Sequence, residues 1–280
     1  MQFTKMHGTG NDYVYIDCTD GKTLQDVALL ANKISNRHFG VGSDGLVLIE
    51  RSNIADFKMR MFNADGSESA MCGNASRCIG KYVYDRGLTK KTKLTLETLS
   101  GIKHLSLFVQ DGKVNKVSVD MGSPSLQSTQ IPVAISRDRV VAEKHRFGTN
   151  EFSITCVSMG NPHTVIFVDD VEHFDVHGIG RLIENDSLFP ERTNVEFAQI
   201  EGRAHIRMRV WERGSGETLA CGSGACATLV AAVLNNLTDR KAVVQTLGGD
   251  LEIQWQDAQD GTVLLTGDAI TVFEGVLDEL

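Results

Sequence analysis

The chain repeats itself at an offset of 149 residues, which restricts the fold more than any other feature of the sequence. Met59, Arg60, Glu68, Cys72 and Gly73 meet Met208, Arg209, Glu217, Cys221 and Gly222. Downstream, Leu96-Glu-Thr-Leu-Ser-Gly101 faces Val244-Gln-Thr-Leu-Gly-Gly249 at an offset of 148, and upstream Gly10-Asn11 faces Gly160-Asn161 at 150. A period this long is too large for a solenoid and fits two homologous lobes. The first lobe is expected over residues 1–121, completed by 267–280, and the second over 122–266.

Each copy carries the same order of elements. Alternating, β-branched stretches predict strands at Tyr13–Ile16, Gly45–Ile49 and Phe57–Phe62, matched by Thr164–Val168, Val195–Ile200 and His205–Trp211. A Cys-Gly turn and a helix follow in each, over Ala75–Tyr84 and Ala225–Leu237. The second helix is apolar all round, as expected of a helix buried on every side. Three more strands come after each helix: Lys93–Thr98, His104–Val109 and Val114–Met121, then Ala242–Thr246, Leu251–Trp255 and Thr262–Gly267. Turns such as Gln110-Asp-Gly112 and Gln259-Asp-Gly261 favour hairpins. A last strand, Asp268–Val276, returns to the first lobe. The expected fold class is α+β: two pseudo-symmetric lobes, each a mostly antiparallel sheet or barrel wrapped around a central helix.

Charge and composition narrow the function. Twenty-eight Lys and Arg against 36 Asp and Glu leave a net charge of −8, which is no footprint for a phosphate backbone or an anionic lipid surface. Neither nucleic acid nor membrane is an expected partner, and no apolar run approaches the ~18 to 20 residues of a membrane span. The opening Met1–Asp17 has polar residues and glycines where a signal peptide has its apolar stretch, so a cytoplasmic setting is expected. The six cysteines then read as thiols rather than a disulfide framework. His173 and His177 have metal-like spacing but lie in a polar stretch without a third ligand and read as a solvated face. The glycine clusters lack the spacing of nucleotide motifs.

Cys72 and Cys221 are the chemical candidates. Each precedes a helix that begins Gly-Asn-Ala or Gly-Ser-Gly, where the helix dipole favours a thiolate below the ~8.5 reference value. Open N–H groups at such a helix start also suit a carboxylate. Two thiols on opposite faces of one carbon could invert it, one as general base and the other as general acid. Cys18, Cys78, Cys156 and Cys226 read instead as small apolar core residues.

Seven motifs, in order, then carry a resemblance over essentially the whole chain. They are Met6-His-Gly-Thr-Gly-Asn-Asp12, Gly40-Val-Gly-Ser-Asp-Gly45, Phe62-Asn-Ala-Asp-Gly-Ser-Glu68, Met71-Cys-Gly-Asn-Ala-Ser-Arg77, Gly160-Asn-Pro-His163, Phe189-Pro-Glu-Arg-Thr-Asn-Val-Glu-Phe197 and Trp211-Glu-Arg-Gly-Ser-Gly-Glu-Thr-Leu-Ala-Cys-Gly-Ser-Gly-Ala-Cys226. The chain resembles the diaminopimelate epimerase family of cofactor-independent amino-acid racemases. The resemblance implies interconversion of LL- and meso-2,6-diaminopimelate, in lysine and peptidoglycan precursor synthesis, with neither pyridoxal phosphate nor metal. It also implies a homodimer.

By the same resemblance Cys72 and Cys221 transfer the protons, with His163 beside Cys72 and Glu212 beside Cys221. Substrate contacts carry over to Asn11, Asn63, Asn74, Asn161, Asn194, Glu212, Arg213 and Ser223, and to the amides of Gly73 and Gly222. Gly45 stands where some members have a glutamine, so a contact there would come from backbone or water. Ala75 stands where Cys-Gly-Asn usually continues with glycine. The set is coherent for a substrate with two carboxylates, since a guanidinium can hold the distal one by a bidentate pair. Another racemase of the same fold, of the proline racemase or phenazine-pathway type, is the nearest alternative; a dithiol redox protein is a second.

Overall fold

A computed structural model describes residues 1–257 and 261–278. The chain divides into two compact units, residues 1–120 together with the chain from Thr266 onward, and Met121–Leu265. The Gln259-Asp-Gly261 turn lies largely outside the described residues.

In the first unit the elements run β1 (Gln2–Gly8), β2 (Asn11–Cys18), α1 (Val27–Ser35), β3 (Gly45–Glu50), β4 (Phe57–Asn63), β5 (Glu68–Ser69), α2 (Gly73–Asp85), β6 (Lys93–Thr98), β7 (Gly101–Gln110) and β8 (Lys113–Asp120). In the second unit they run β9 (Glu143–Phe147), β10 (Asn150–Ser158), β11 (Pro162–Phe167), α3 (Val176–Glu184), β12 (Asn194–Gly202), β13 (His205–Glu212), β14 (Gly216–Thr218), α4 (Gly222–Leu234), β15 (Lys241–Thr246) and β16 (Gly249–Trp255). β17 (Val263–Asp268) leads back to the first unit, and β18 (Ile270–Val276) pairs antiparallel with β1.

Within each unit most strand pairs are antiparallel, and two are parallel. β2–β3 and β4–β6 are the parallel pairs of the first unit, β11–β12 and β13–β15 those of the second. Parallel neighbours need a crossover, and the chain between each of these pairs contains one helix, α1 to α4 in order. The first ladder runs β18-β1-β2-β3-β4-β6-β7-β8 and the second β9-β10-β11-β12-β13-β15-β16. β8 also pairs with β17, and among the described residues no pairing joins β8 to β18 or β9 to β16. The barrel half of the expected fold class is therefore corrected to an open sheet. The helix takes the place of closure: α2 packs on β1, β7 and β8, and α4 on β10, β11, β12, β15 and β16.

Local chemistry accounts for these elements. α4 reads Gly-Ser-Gly-Ala-Cys-Ala-Thr-Leu-Val-Ala-Ala-Val-Leu, with alanines that favour helix and no wide side chain to hold the sheet off. Gly224 through Ala232 are all buried, and Leu229 is fully so, a burial that stabilises by about 1.5–3 kcal/mol. The β7–β8 hairpin turns at Asp111 and Gly112 with φ of 50° and 74°, the two left-handed residues that a type I′ turn requires. The first strand, Gln2–Gly8, went unread in the sequence because its polar Gln2, Thr4 and Lys5 hide the alternation. Lys5 is nevertheless buried, pairing with Asp12 and donating to the Gly42 carbonyl.

Candidate functional site

In the first unit, Cys72 occupies the N-cap of α2 with extended backbone (φ −140°), and its Sγ accepts from the Ala75 N–H at 3.5 Å. The thiol lies 3.5 Å from Asn11 Oδ1, which also accepts from Asn74 Nδ2 at 3.3 Å. Charged groups at both ends hold these amides in one orientation. Asn11 Nδ2 donates to the Asp44 carboxylate at 2.8 Å, and Asn74 Oδ1 accepts from Arg77 Nη1 at 2.9 Å. Arg77 is fully buried, and burial lowers its guanidinium from the ordinary value; its Nε donates to the Asp268 carbonyl at 2.9 Å. Burial raises the Asp44 carboxyl, which Arg37 joins to Asp12 at the surface.

Asn63 ends β4, directly opposite Gly45 across the antiparallel pair, and donates to Ser67 Oγ at 3.0 Å. A Cβ at Gly45 would lie 2.0 Å from the Phe62 carbonyl oxygen and 2.8 Å from the Tyr13 ring, so no side chain fits there. Only the backbone of Gly45 is left to meet a ligand. Gly73 and Asn74 open α2, where the first N–H groups have no carbonyl one turn back within the helix.

In the second unit Cys221 takes the matching N-cap of α4, φ −120°, with Ser223 Oγ 3.5 Å from its sulfur. Glu212 ends β13 and accepts from the Thr218 hydroxyl; burial raises its carboxyl, against the hydrogen bonds from Thr218 and Cys221. The Cys221 thiol is pushed well above its usual value by burial first, and then by the charges of Glu212 and Glu196. That corrects the expectation of a thiol lowered by the helix dipole. A helix end contributes a fraction of a charge, whereas Cys221 is 7% exposed and faces two carboxylates.

His163, on β11, is fully buried between two partners. Nδ1 lies 2.7 Å from Glu196 Oε1, and Nε2 lies 3.0 Å from Asn161 Oδ1. Asn194 uses its amide on the backbone, donating to the Pro162 carbonyl at 2.8 Å and accepting from the Arg213 N–H at 3.0 Å. It thereby fixes the start of Arg213, whose exposed guanidinium donates to the Glu191 carbonyl at 2.9 Å. Gly222 and Ser223 open α4 as Gly73 and Asn74 open α2.

The structure thus gathers Cys72, Asn11 and Asn74 in the first unit, and Cys221, Glu212, His163 and Asn161 in the second. Three residues of this machinery were missed in the sequence: Asp44, Arg77 and Glu196. Arg77 and Asp44 sit inside quoted motifs and are distinguished only by burial and partners. Glu196 had a readable signal, a lone carboxylate inside the apolar run Val195, Phe197 and Ala198.

Comparison with known sequences decides the family. The model of the family described as "Diaminopimelate epimerase" matches residues 3–127 and 155–272. The chain belongs to the diaminopimelate epimerase family. The diaminopimelate epimerase of Acetivibrio thermocellus is 55% identical over 278 residues, 99% of each chain. That of Phocaeicola vulgatus is 56% identical over 99% of this chain and 98% of its own. That of the archaeon Methanococcus maripaludis strain C5 is 52% identical over 99% and 100%. Diaminopimelate epimerases are isomerases, and the seven motifs fall inside these matches.

Solved structures extend the fold beyond the family. A PhzF-family phenazine biosynthesis protein of Bacillus anthracis superposes with a TM-score of 0.69 at 17% identity, covering 99% of both chains. A hydroxyproline epimerase from Agrobacterium vitis gives 0.67 at 14% identity over 98% of this chain and 90% of its own. At that distance the likeness is one of fold.

Proposed function

We propose that the chain inverts one α-carbon of 2,6-diaminopimelate, interconverting the LL and meso forms, with Cys72 and Cys221 as the two proton-transfer groups and no cofactor. The observation that carries the reading is the pairing of equivalent cysteines: each stands at the N-cap position of a 13-residue helix, Gly73–Asp85 or Gly222–Leu234, at the same place in its unit. The two units are then copies of one duplicated domain.

The chemistry follows from inversion. One thiolate takes the α-proton, breaking the Cα–H bond and forming S–H, while the electron pair stays on the substrate carbon beside its carboxylate. The other thiol delivers a proton to the opposite face and becomes the thiolate. Each turnover therefore exchanges the two protonation states, which makes the reaction reversible. Cys221, held as the thiol by burial and two carboxylates, is the donor in the direction that begins with this state. Glu212 is in hydrogen-bond contact with Cys221 and returns or accepts its proton; the family resemblance gives His163 the same part for Cys72. The helix-start amides of Gly73 and Gly222 hold the reacting carboxylate. Asn11, Asn63, Asn74, Asn161, Asn194 and Ser223 supply neutral donors and acceptors for the ammonium and carboxylate groups. Arg213 clamps the distal carboxylate. The same reading has the chain act as a homodimer in the cytoplasm.

The test is epimerisation of LL-diaminopimelate by purified, reduced protein with no cofactor added, alongside Cys72→Ala and Cys221→Ala. Meso product from the wild type and none from either variant, with both variants folded by circular dichroism, supports the assignment. Near-normal turnover by either variant removes that thiol from the mechanism.

A further inference from the structure

Glu196 carries a cost that its place in the fold does not require. The carboxyl is fully buried on β12, with Oε1 against His163 Nδ1 at 2.7 Å and Oε2 without a hydrogen-bond partner among the described residues. Burying an ionisable group and leaving one oxygen unsatisfied is unfavourable unless another role compensates. The duplicated half shows what the fold alone needs. In the first unit β2 pairs parallel with β3, Tyr13 opposite Gly45 and Tyr15 opposite Val47. In the second, β11 pairs with β12 in the same register, His163 opposite Asn194 and Val165 opposite Glu196. Glu196 therefore stands where the first unit has Val47, itself fully buried.

The helix start answers the exchange. Gly224 holds the position that Ala75 holds in α2, and a Cβ on Gly224 would come 2.6 Å from Glu196 Oε1 and 3.3 Å from Cys221 Sγ. The first unit has valine and alanine at these two positions, whereas in the second a carboxylate lies against a glycine. The missing methyl makes room for Glu196 beside Cys221 and His163.

We propose that Glu196 is a positioning residue of the epimerase reaction: it binds His163 through Nδ1 and fixes the ring, so that Nε2, which meets Asn161 Oδ1, is the nitrogen that exchanges protons. The inference rests on the reading that His163 serves thiol chemistry. The groups facing the pair are Asn161 from the β10–β11 turn, Glu212 from β13 and Cys221 from the start of α4, with the Cys156 thiol on β10 also within the field of Glu196.

Histidine-labelled full-length protein without substrate, followed by long-range proton–nitrogen-15 correlation, tests the pairing apart from activity by reading which ring nitrogen of His163 carries a proton. In the wild type Nδ1 carries one, directed at Glu196. The double variant Glu196→Val with Gly224→Ala places the residues of the first unit at both positions; it folds and loses that preference for Nδ1. It also lowers kcat about 100-fold with KM changed less than about threefold, the pattern of a misdirected acid–base group. An unchanged proton distribution on the His163 ring in the double variant overturns the proposal, whether or not the rate falls. A changed distribution in a protein whose wild type does not epimerise diaminopimelate upholds the pairing and refutes the functional reading it serves.

Discussion

Replacing Glu212 by glutamine pushes thiol reactivity and turnover in opposite directions. Glu212 is mostly buried and in hydrogen-bond contact with Cys221, and its charge is one of the two that hold the thiol proton in place. Two unit charges about 4 Å apart repel by about 4 kcal/mol at an effective dielectric constant of ~20, or about three pH units. The Thr218 hydroxyl already spreads part of the Glu212 charge, and Glu196 remains in the variant, so the Cys221 midpoint falls by less than that full repulsion. At a fixed mildly alkaline pH the thiolate fraction rises with it. Alkylation by iodoacetamide, followed as the mass shift of the peptide containing Cys221 over a range of pH, reads the midpoint directly. The same variant turns over more slowly, because the group that exchanges the thiol proton is gone. A site merely loosened by the substitution would also alkylate faster, and would show itself as a lower urea midpoint of unfolding. An alkylation profile with the wild-type midpoint refutes the electrostatic account of Cys221.

Further outcomes follow from the same structure. The Cys78 and Cys156 thiols are pushed up to about 12 from 9.0 by burial, so each stays protonated in the folded chain while the unfolded chain ionises. Their contribution is complete below pH 9 and is lost between pH 9 and 12; at pH 10 it has fallen by about 1.4 kcal/mol per thiol, measurable as a drop in urea midpoint that Cys78→Ala reduces. Leu229→Ala, in the middle of α4, costs about 2–5 kcal/mol in the same unfolding assay, because the enclosing sheet cannot collapse onto the vacancy. Arg213→Ala raises KM for diaminopimelate at least about tenfold and leaves binding of a monocarboxylic amino acid nearly unchanged; equal losses for both would take Arg213 off the distal carboxylate.

The offset between Cys72 and Cys221 made the two-unit plan and the helix-capping thiols readable, because glycine-rich helix starts leave a local pattern that survives divergence. Strand register was not legible: Gly45 and Asn194 fall opposite Tyr13 and His163 across parallel pairs whose partners are distant in sequence. Closure was not legible: a run of hairpins reads alike whether its edge strands meet or stay open, and among the described residues β8 and β18 are not paired. The ionisation of Cys221 was hidden more deeply. Its local sequence, like that of Cys72, promises an activated thiol, and only the convergence of β12 and β13 on the start of α4 brings Glu196 and Glu212 to it. Glu196 leaves a trace in its apolar neighbours, but its meaning comes from Val47 and Ala75 at the equivalent places in the other unit.

The central claim is that two different groups serve the two faces of the α-carbon, and isotope fate tests it most directly. Unlabelled LL-diaminopimelate is added to reduced protein in D2O and the reaction is stopped at low conversion, with both isomers analysed by proton NMR and mass spectrometry. The account predicts deuterium at the inverted centre of the meso product while the remaining LL substrate keeps its α-protium, because the donating thiol has already exchanged with solvent. Meso product that retains the substrate's own α-proton would contradict it, since that requires a single group to take the proton and return it to the other face.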